Sequence, residues 1–299
     1  MVTGAAGFIG SHPTDELLER GHRVVALDDL SGGQRENVPE GASFCEGSIL
    51  DEPLVSSLFG NHQFDYIFHF AAYAAEGLSH FIRRFNYTNN LLGSVNLINA
   101  SVNQGVKLFV FASSSAVYSE QQVPATEEAA PQPEDPYGVA KYAVELDLRA
   151  AQAMFGLNWV VFRAHNVYGE RQNLADRYRN VVGIFMHCIL HGRPLPIFGD
   201  GEQTRAFTYV GDIVPAIADS ISQPAARNQV FNIGTDTART VNEQGQAVSR
   251  AMGVPFAPQY LPARHELRNS YVSHQKSERC FGRRDLTTLE AGLARRQRG

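Results

Sequence analysis

Cysteine is scarce in this chain, with three in 299 residues at positions 45, 188 and 280. An odd and scattered count argues against a disulfide framework and suits a reducing cytoplasm. Their spacing fits no metal site, and Cys188, inside an apolar stretch, reads as a core residue. His69 and His165 read as structural donors, because no second ligand stands at zinc-like spacing, so no metal is expected. Basic charge is not in excess either. The net charge of −5 argues against nucleic acid and anionic membranes as partners. Only the tail Ala294–Gly299 is basic, and so short a run reads as solvated. No apolar run is long enough to span a membrane. The chain opens on a glycine-rich turn, so no signal peptide is expected. Repeats and low-complexity segments are absent from the sequence.

What remains is an ordinary globular composition, 43% apolar and 19% charged, in a chain long enough for one large α/β unit or a domain with a smaller lobe. Short apolar runs at Arg23–Leu27, Tyr66–Phe70, Leu108–Ala112, Asn158–Phe162 and Val230–Ile233 predict strands, with a weaker one at Ser43–Cys45. Helical patterns fall between them, at about 8–20, 51–59, 85–104, 136–155, 180–191 and 212–222. Near-continuous apolar strands separated by helices indicate a parallel sheet covered on both faces. The expected class is therefore α/β, a doubly wound parallel sheet with a smaller C-terminal lobe. Residues 1–165 and a return at 206–235 form the sheet domain. Residues 166–205 and 236–299 form the lobe, where Gly192–Asp200 and Ala257–Leu267 are turn-rich. Gln121–Pro136 reads as a surface loop.

Two local patterns carry chemistry. Gly4, Gly7 and Gly10 lead into the first helical pattern. Such glycines let backbone approach a pyrophosphate, and a helix N-terminus supplies N–H donors. Alone, they fit a plain turn equally well. A strand ending at Asp28-Asp29 tips the balance to a dinucleotide, since Asp28 can accept from a ribose diol, which favours NAD over its 2′-phosphorylated form. Two features oppose this reading. Met1-Val2-Thr3 leaves little of a central first strand, and Pro13 inside the first helix costs ~3 kcal/mol where truly interior. The second pattern is Tyr137 and Lys141, one helical turn apart after Pro136. An ammonium beside a phenol favours the phenolate, which can take a proton from an alcohol. The same spacing is common on solvated helix faces.

Assembled, these residues resemble the extended short-chain dehydrogenase/reductases with their Rossmann fold, and among them the NAD-dependent nucleotide-sugar epimerases of the UDP-glucose 4-epimerase group. The likeness runs through His69–Ala72, Asn89-Asn90, Ser113–Tyr118, Arg163–Gly169, Gly199–Gly201 and Arg205–Phe207. It implies Tyr137 as acid/base, Lys141 as the group that lowers its pKa and holds the nicotinamide ribose, and Ser114 as partner of the reacting hydroxyl. It implies NAD contacts from Gly4, Gly7, Phe8, Ile9, Gly10, Asp28, Ser48, Ile49, Phe70, Ala71, Ala72 and Asn89, besides Tyr137 and Lys141. Asn166 and Arg205, with Arg264 as a third candidate, would hold the diphosphate of a UDP-sugar. Ser270 would line the sugar pocket, where a small residue admits N-acetylhexosamines. A homodimer through the helices near 85–104 and 136–155 is also implied.

The segment after Ser114 narrows the reaction. Related dehydratases, decarboxylases and 3,5-epimerases carry an additional acid, base or cysteine there, whereas this chain has Ser115-Ala116. The resemblance therefore implies 4-epimerisation of a UDP-sugar by transient oxidation at C4. An NAD-dependent sugar-nucleotide dehydrogenase and a non-catalytic nucleotide-sugar-binding relative are the alternatives. Departures from the family pattern are Ser48 for an aspartate, Ser119 for a glycine, Ala164 for a proline and Ala74 for a lysine.

Overall fold

A computed structural model of the chain describes residues 1–118, 123–174, 180–263, 268–283 and 285–296. Its centre is a seven-stranded sheet in the spatial order Gln229–Ile233, Trp159–Ala164, Leu108–Ser114, Tyr66–His69, Val2–Thr3, Val25–Asp28, Ser43–Glu46. Every neighbouring pair is parallel. The expected doubly wound class is the one observed. The first strand is indeed only two residues long. It is nonetheless held on both sides, with Thr3 in register with Leu27 and with His69.

The alternation of side chains along each strand divides the core in two. Leu108 and Val110 face one layer, with Leu17 of helix Phe8–Glu19 and Ile213 and Ile217 of helix Val210–Asp219. Phe109 and Phe111 face the other, with Leu97 of Gly93–Gln104 and Val144 and Leu148 of Pro136–Phe155. Both faces of the sheet are thereby buried, which explains the near-continuous apolar runs in the sequence.

Helix Phe8–Glu19 runs through a buried Pro13. The expected helix at 85–104 is three segments, Arg83–Tyr87, a π turn Thr88–Leu92, and Gly93–Gln104. The wider turn keeps Asn86, Asn90 and Ser94 on one buried line. Among the described residues no helix is long and apolar enough to cross a membrane.

Beyond the sheet the sequence reading needs correction. The two turn-rich stretches hold strands Leu195–Phe198 and Pro258–Leu261, paired in parallel. A three-stranded sheet joins Ala238–Thr240, Thr204–Ala206 and Asn269–Ser270. Helices Val241–Ala251, Gln275–Phe281 and Leu289–Arg296 had no counterpart in the sequence reading. The last takes in the start of the basic tail, and the Arg295 guanidinium stands 5.3 Å from the centre of the Tyr209 ring. The loop before Pro136 is not wholly at the surface, because Ala125 is buried and bridges to Val272.

Candidate active site

The glycine turn lies where the strand order reverses, between Val2–Thr3 and Tyr66–His69. Gly4 has φ +69°, a left-handed conformation that favours glycine. A Cβ there would stand 2.6 Å from the Ala71 amide nitrogen, and one on Gly10 would stand 2.2 Å from the Gly4 carbonyl oxygen. Gly4, Gly10, Phe70 and Ala71 therefore meet at one point. Helix Phe8–Glu19 starts at Gly7 with no side-chain cap, so no capping side chain competes with an anion for its first N–H groups.

The Asp28 carboxylate accepts from the amides of Ala6 at 3.0 Å and Leu30 at 2.8 Å. Burial raises its pKa, against the backbone hydrogen bonds from Leu30, Ala6 and Gly7. The sequence reading missed the loop that follows. Gln34 and Asn37 donate to the Ala6 carbonyl at 2.9 and 3.0 Å, and a Cβ on Gly33 would stand 2.6 Å from the Ala6 carbonyl carbon. The Gly32-Gly33 pair was the signal for that close approach.

Other proposed cofactor contacts fall unevenly. The Ser48 hydroxyl accepts from the Leu50 amide at 3.3 Å. Ile49 is buried against Gly93, where a Cβ would stand 2.4 Å from its Cδ1, so its side chain belongs to the core. Ala72 follows the Phe70–Ala71 contact and is half-buried, as are Phe8 and Ile9. The amide of Asn89 donates outward to the Phe85 carbonyl at 2.9 Å. Its neighbour Asn90 is buried, and accepts from the Tyr73 amide at 2.7 Å and donates to the Tyr73 carbonyl at 3.0 Å.

The second half of the site is built by helix Pro136–Phe155. Asp135 caps it by accepting from the Gly138 amide at 3.0 Å, and Pro136 occupies its first turn. Ser114 ends the adjacent strand, and its hydroxyl accepts from the Ala116 amide at 3.1 Å. Two contacts lock helix to strand. Gly138 lies against the Ala116 carbonyl, and the Lys141 ammonium donates to the Ala112 carbonyl at 2.7 Å. Lys141 Nζ also stands 5.7 Å from the centre of the Tyr137 ring and 4.7 Å from that of Phe111. The helix that carries Tyr137 and Lys141 is therefore packed against the strand that Ser114 ends. Burial lowers the Lys141 pKa to about 7, against the opposing pull of Glu145.

His69 is a structural residue, sharing hydrogen bonds with Thr3 at 2.7 Å and Ser94 at 2.8 Å. Burial holds its pKa down to about 3. His165 differs from the expectation. Neither of its ring nitrogens has a hydrogen-bond partner among the described residues, and the ring stacks on His274 at 5.1 Å.

On the substrate side Asn166 has φ +40° and donates to the Ala206 carbonyl at 3.1 Å. Arg205 is in register with Ser270, so strand pairing joins two of the proposed residues. The Arg205 guanidinium donates to the Thr204 and Arg268 carbonyls at 2.8 and 3.1 Å. Arg264 lies outside the described residues.

The order of the sheet agrees with the comparisons to known proteins. The model of the NAD dependent epimerase/dehydratase family matches residues 1–234. The chain belongs to that family. A UDP-glucose 4-epimerase of Mycolicibacterium smegmatis is 35% identical over 99% of this chain and 96% of its own. The crystal structure of a UDP-glucose 4-epimerase from Thermotoga maritima with UDP-glucose is 38% identical, with a TM-score of 0.94 over 99% of this chain and 96% of that one. A Thermus thermophilus UDP-glucose 4-epimerase in complex with NAD is 34% identical, with a TM-score of 0.91 over the same shares of the two chains. Membership of the epimerase/dehydratase family brings NAD as the cofactor. It does not by itself choose among the reactions that the family's name covers.

Proposed function

We propose that this protein inverts a UDP-sugar at C4 by transient oxidation, with NAD held at the glycine turn. The observation that supports this reading is the packing of the Tyr137–Lys141 helix against the end of the Ser114 strand, which is followed by Ser115-Ala116 with no additional acid or base. The cradle fits a dinucleotide, since the positions where a Cβ would collide, Gly4 and Gly10, line the uncapped helix start beside Asp28. Residues 1–165 and 206–235 hold the cofactor in this reading, and 166–205 and 236–299 hold the sugar nucleotide.

Bound NAD supplies reversible hydride exchange at the sugar carbon. The chain's own residues do the rest. Tyr137 takes the proton of the 4-hydroxyl and later returns it. Ser114 hydrogen-bonds the same oxygen and orients it. The Lys141 ammonium has three donors, of which one is fixed on Ala112. The others remain for the phenol and the nicotinamide ribose. In this reading Arg205 and Asn166 bind the diphosphate, with Arg264 as a third proposed ligand, and Ser270 leaves room at the sugar for an N-acetyl group.

A homodimer is part of the proposal. Leu97 and Ile98 are spent on the sheet, but Phe85 and Leu92 on one helix and Val139 and Leu146 on its neighbour are exposed, each pair two turns apart. A cytoplasmic location is proposed from the sparse, free cysteines.

The test is turnover of UDP-glucose, UDP-N-acetylglucosamine and UDP-glucuronate by purified protein, with Tyr137→Phe alongside. Interconversion at C4 without added oxidant, lost by about 10²-fold or more in Tyr137→Phe, is the expected result. Product that accumulates only with stoichiometric NAD⁺ would instead make the protein a dehydrogenase.

A further inference from the structure

Glu145 follows Lys141 by one turn on the same helix and is fully buried. Its carboxylate accepts from the Ser113 hydroxyl at 2.6 Å and from Arg163 Nε and Nη2 at 3.0 and 2.6 Å. Arg163 is equally buried. A buried ion pair is a poor source of stability, because desolvation of two charges offsets their attraction. An apolar pair of the same volume would serve the core as well, so a structural account leaves this one unexplained.

Its connections give it a role. Ser113 adjoins Ser114, so one carboxylate ties the serine strand to the tyrosine–lysine helix. On the far side Arg163 Nη1 donates to the Tyr118 hydroxyl at 2.7 Å, which donates to Asn232 Oδ1 at 2.9 Å. The Asn232 amide then donates to the carbonyls of Ala125 and Ser273, each at 3.2 Å. Ser273 in turn donates from its amide to Ala125 at 2.9 Å, and Ala125 donates to Tyr271 at 3.2 Å. The chain of hydrogen bonds is unbroken from the catalytic helix to a segment that starts one residue after Ser270.

We propose that Glu145 and Tyr118 are positioning residues, and that the Glu145–Arg163–Tyr118–Asn232 chain sets the distance between the Ser114/Tyr137/Lys141 group and the sugar-pocket segment at Ser270–Ser273. It rests on the epimerase reading above. Each link joins a different element, namely the tyrosine helix, the Trp159–Ala164 strand, the turn after Ser114 and the Gln229–Ile233 strand. Losing one link lets the pocket shift against the catalytic group without emptying either. The sugar would still bind, but its hydroxyl would no longer sit at transfer distance from Tyr137.

The experiment compares Tyr118→Phe and Glu145→Gln with the wild type for kcat, KM for the UDP-sugar, NAD retention and melting temperature. Tyr118→Phe keeps the ring and the ion pair and removes only the bridging hydroxyl. It is expected to lower kcat on the order of tenfold or more, as small misplacements do, with KM changed by less than about twofold and NAD still bound. Glu145→Gln should show the same split more strongly. Should it fail to fold, Tyr118→Phe decides alone. A folded Tyr118→Phe with wild-type kcat, or one whose loss lies wholly in KM, overturns the inference. A wild type that turns over no UDP-sugar overturns the epimerase reading and this inference with it.

Discussion

Gly138 packs so tightly over the turn after Ser114 that a Cβ on it would stand 2.3 Å from the Ala116 carbonyl oxygen. This closeness is what sets the tyrosine helix against the serine strand. Gly138→Ala gains up to about 1 kcal/mol of intrinsic helix propensity. It must also push backbone from backbone, an overpacking cost of roughly 1–3 kcal/mol. The clash wins, so a net loss of stability is expected, with kcat lower by about 10²-fold through misplacement of Tyr137. Thermal melts and steady-state kinetics measure both. An unaffected kcat would mean that helix and strand are held in register by something other than this contact.

Gly10→Ala tests the cofactor half separately. Its Cβ would stand 2.2 Å from the Gly4 carbonyl oxygen and 3.3 Å from Phe70 Cβ. The turn that presents the helix N-terminus must open, and NAD affinity by calorimetry is expected to fall by at least about tenfold, or 1.4 kcal/mol. Tyr137 and Lys141 are untouched, so a variant that binds NAD as the wild type does would detach the glycine turn from the cofactor.

How far the sequence spoke depended on whether the deciding interaction was local. Helix Pro136–Phe155 was legible to the residue, because Asp135, Pro136 and the left-handed Gly156 mark both ends. The strand Leu108–Ser114 was cut short at Ala112, because its last residues are serines whose place is set by pairing with Arg163 and Ala164. Which of Asn89 and Asn90 is buried is set by a π turn, and no residue pattern announces such a turn. The pairing of Arg205 with Ser270 is a long-range register, invisible in either segment alone. The helix Val241–Ala251 was different. Its Thr240–Glu243 capping box is a local signal and could have been read.

The outward faces of the two packed helices make the dimer testable. Leu146 is exposed in the single chain, so Leu146→Glu costs the monomer little. At the centre of an apolar contact between copies the same charge would be buried without a partner. Sedimentation should show a wild-type dimer and a folded Leu146→Glu monomer. A wild type that sediments as a monomer would remove this surface as an interface.

Lys141 links the site to stability through pH. An unfolded lysine keeps its proton up to its ordinary value of 10.5, whereas burial brings the folded value down to about 7. Below about pH 7 both states are protonated, and folding bears the whole cost of burying an ammonium. As pH rises past 7 the folded protein releases the proton while the unfolded chain keeps it, so the unfolded state binds more protons and stability rises. The gain is at most ~1.4 kcal/mol per pH unit. Other groups titrate as well, so the term is isolated by comparison with Lys141→Met, which has no proton to lose. Denaturant melts of the cofactor-free protein between pH 7 and 9 should show the wild type gaining on Lys141→Met as pH increases. Parallel curves would place the Lys141 proton in the folded state throughout, with Glu145 strong enough to cancel the effect of burial. The ammonium that Tyr137 depends on would then be present at every working pH.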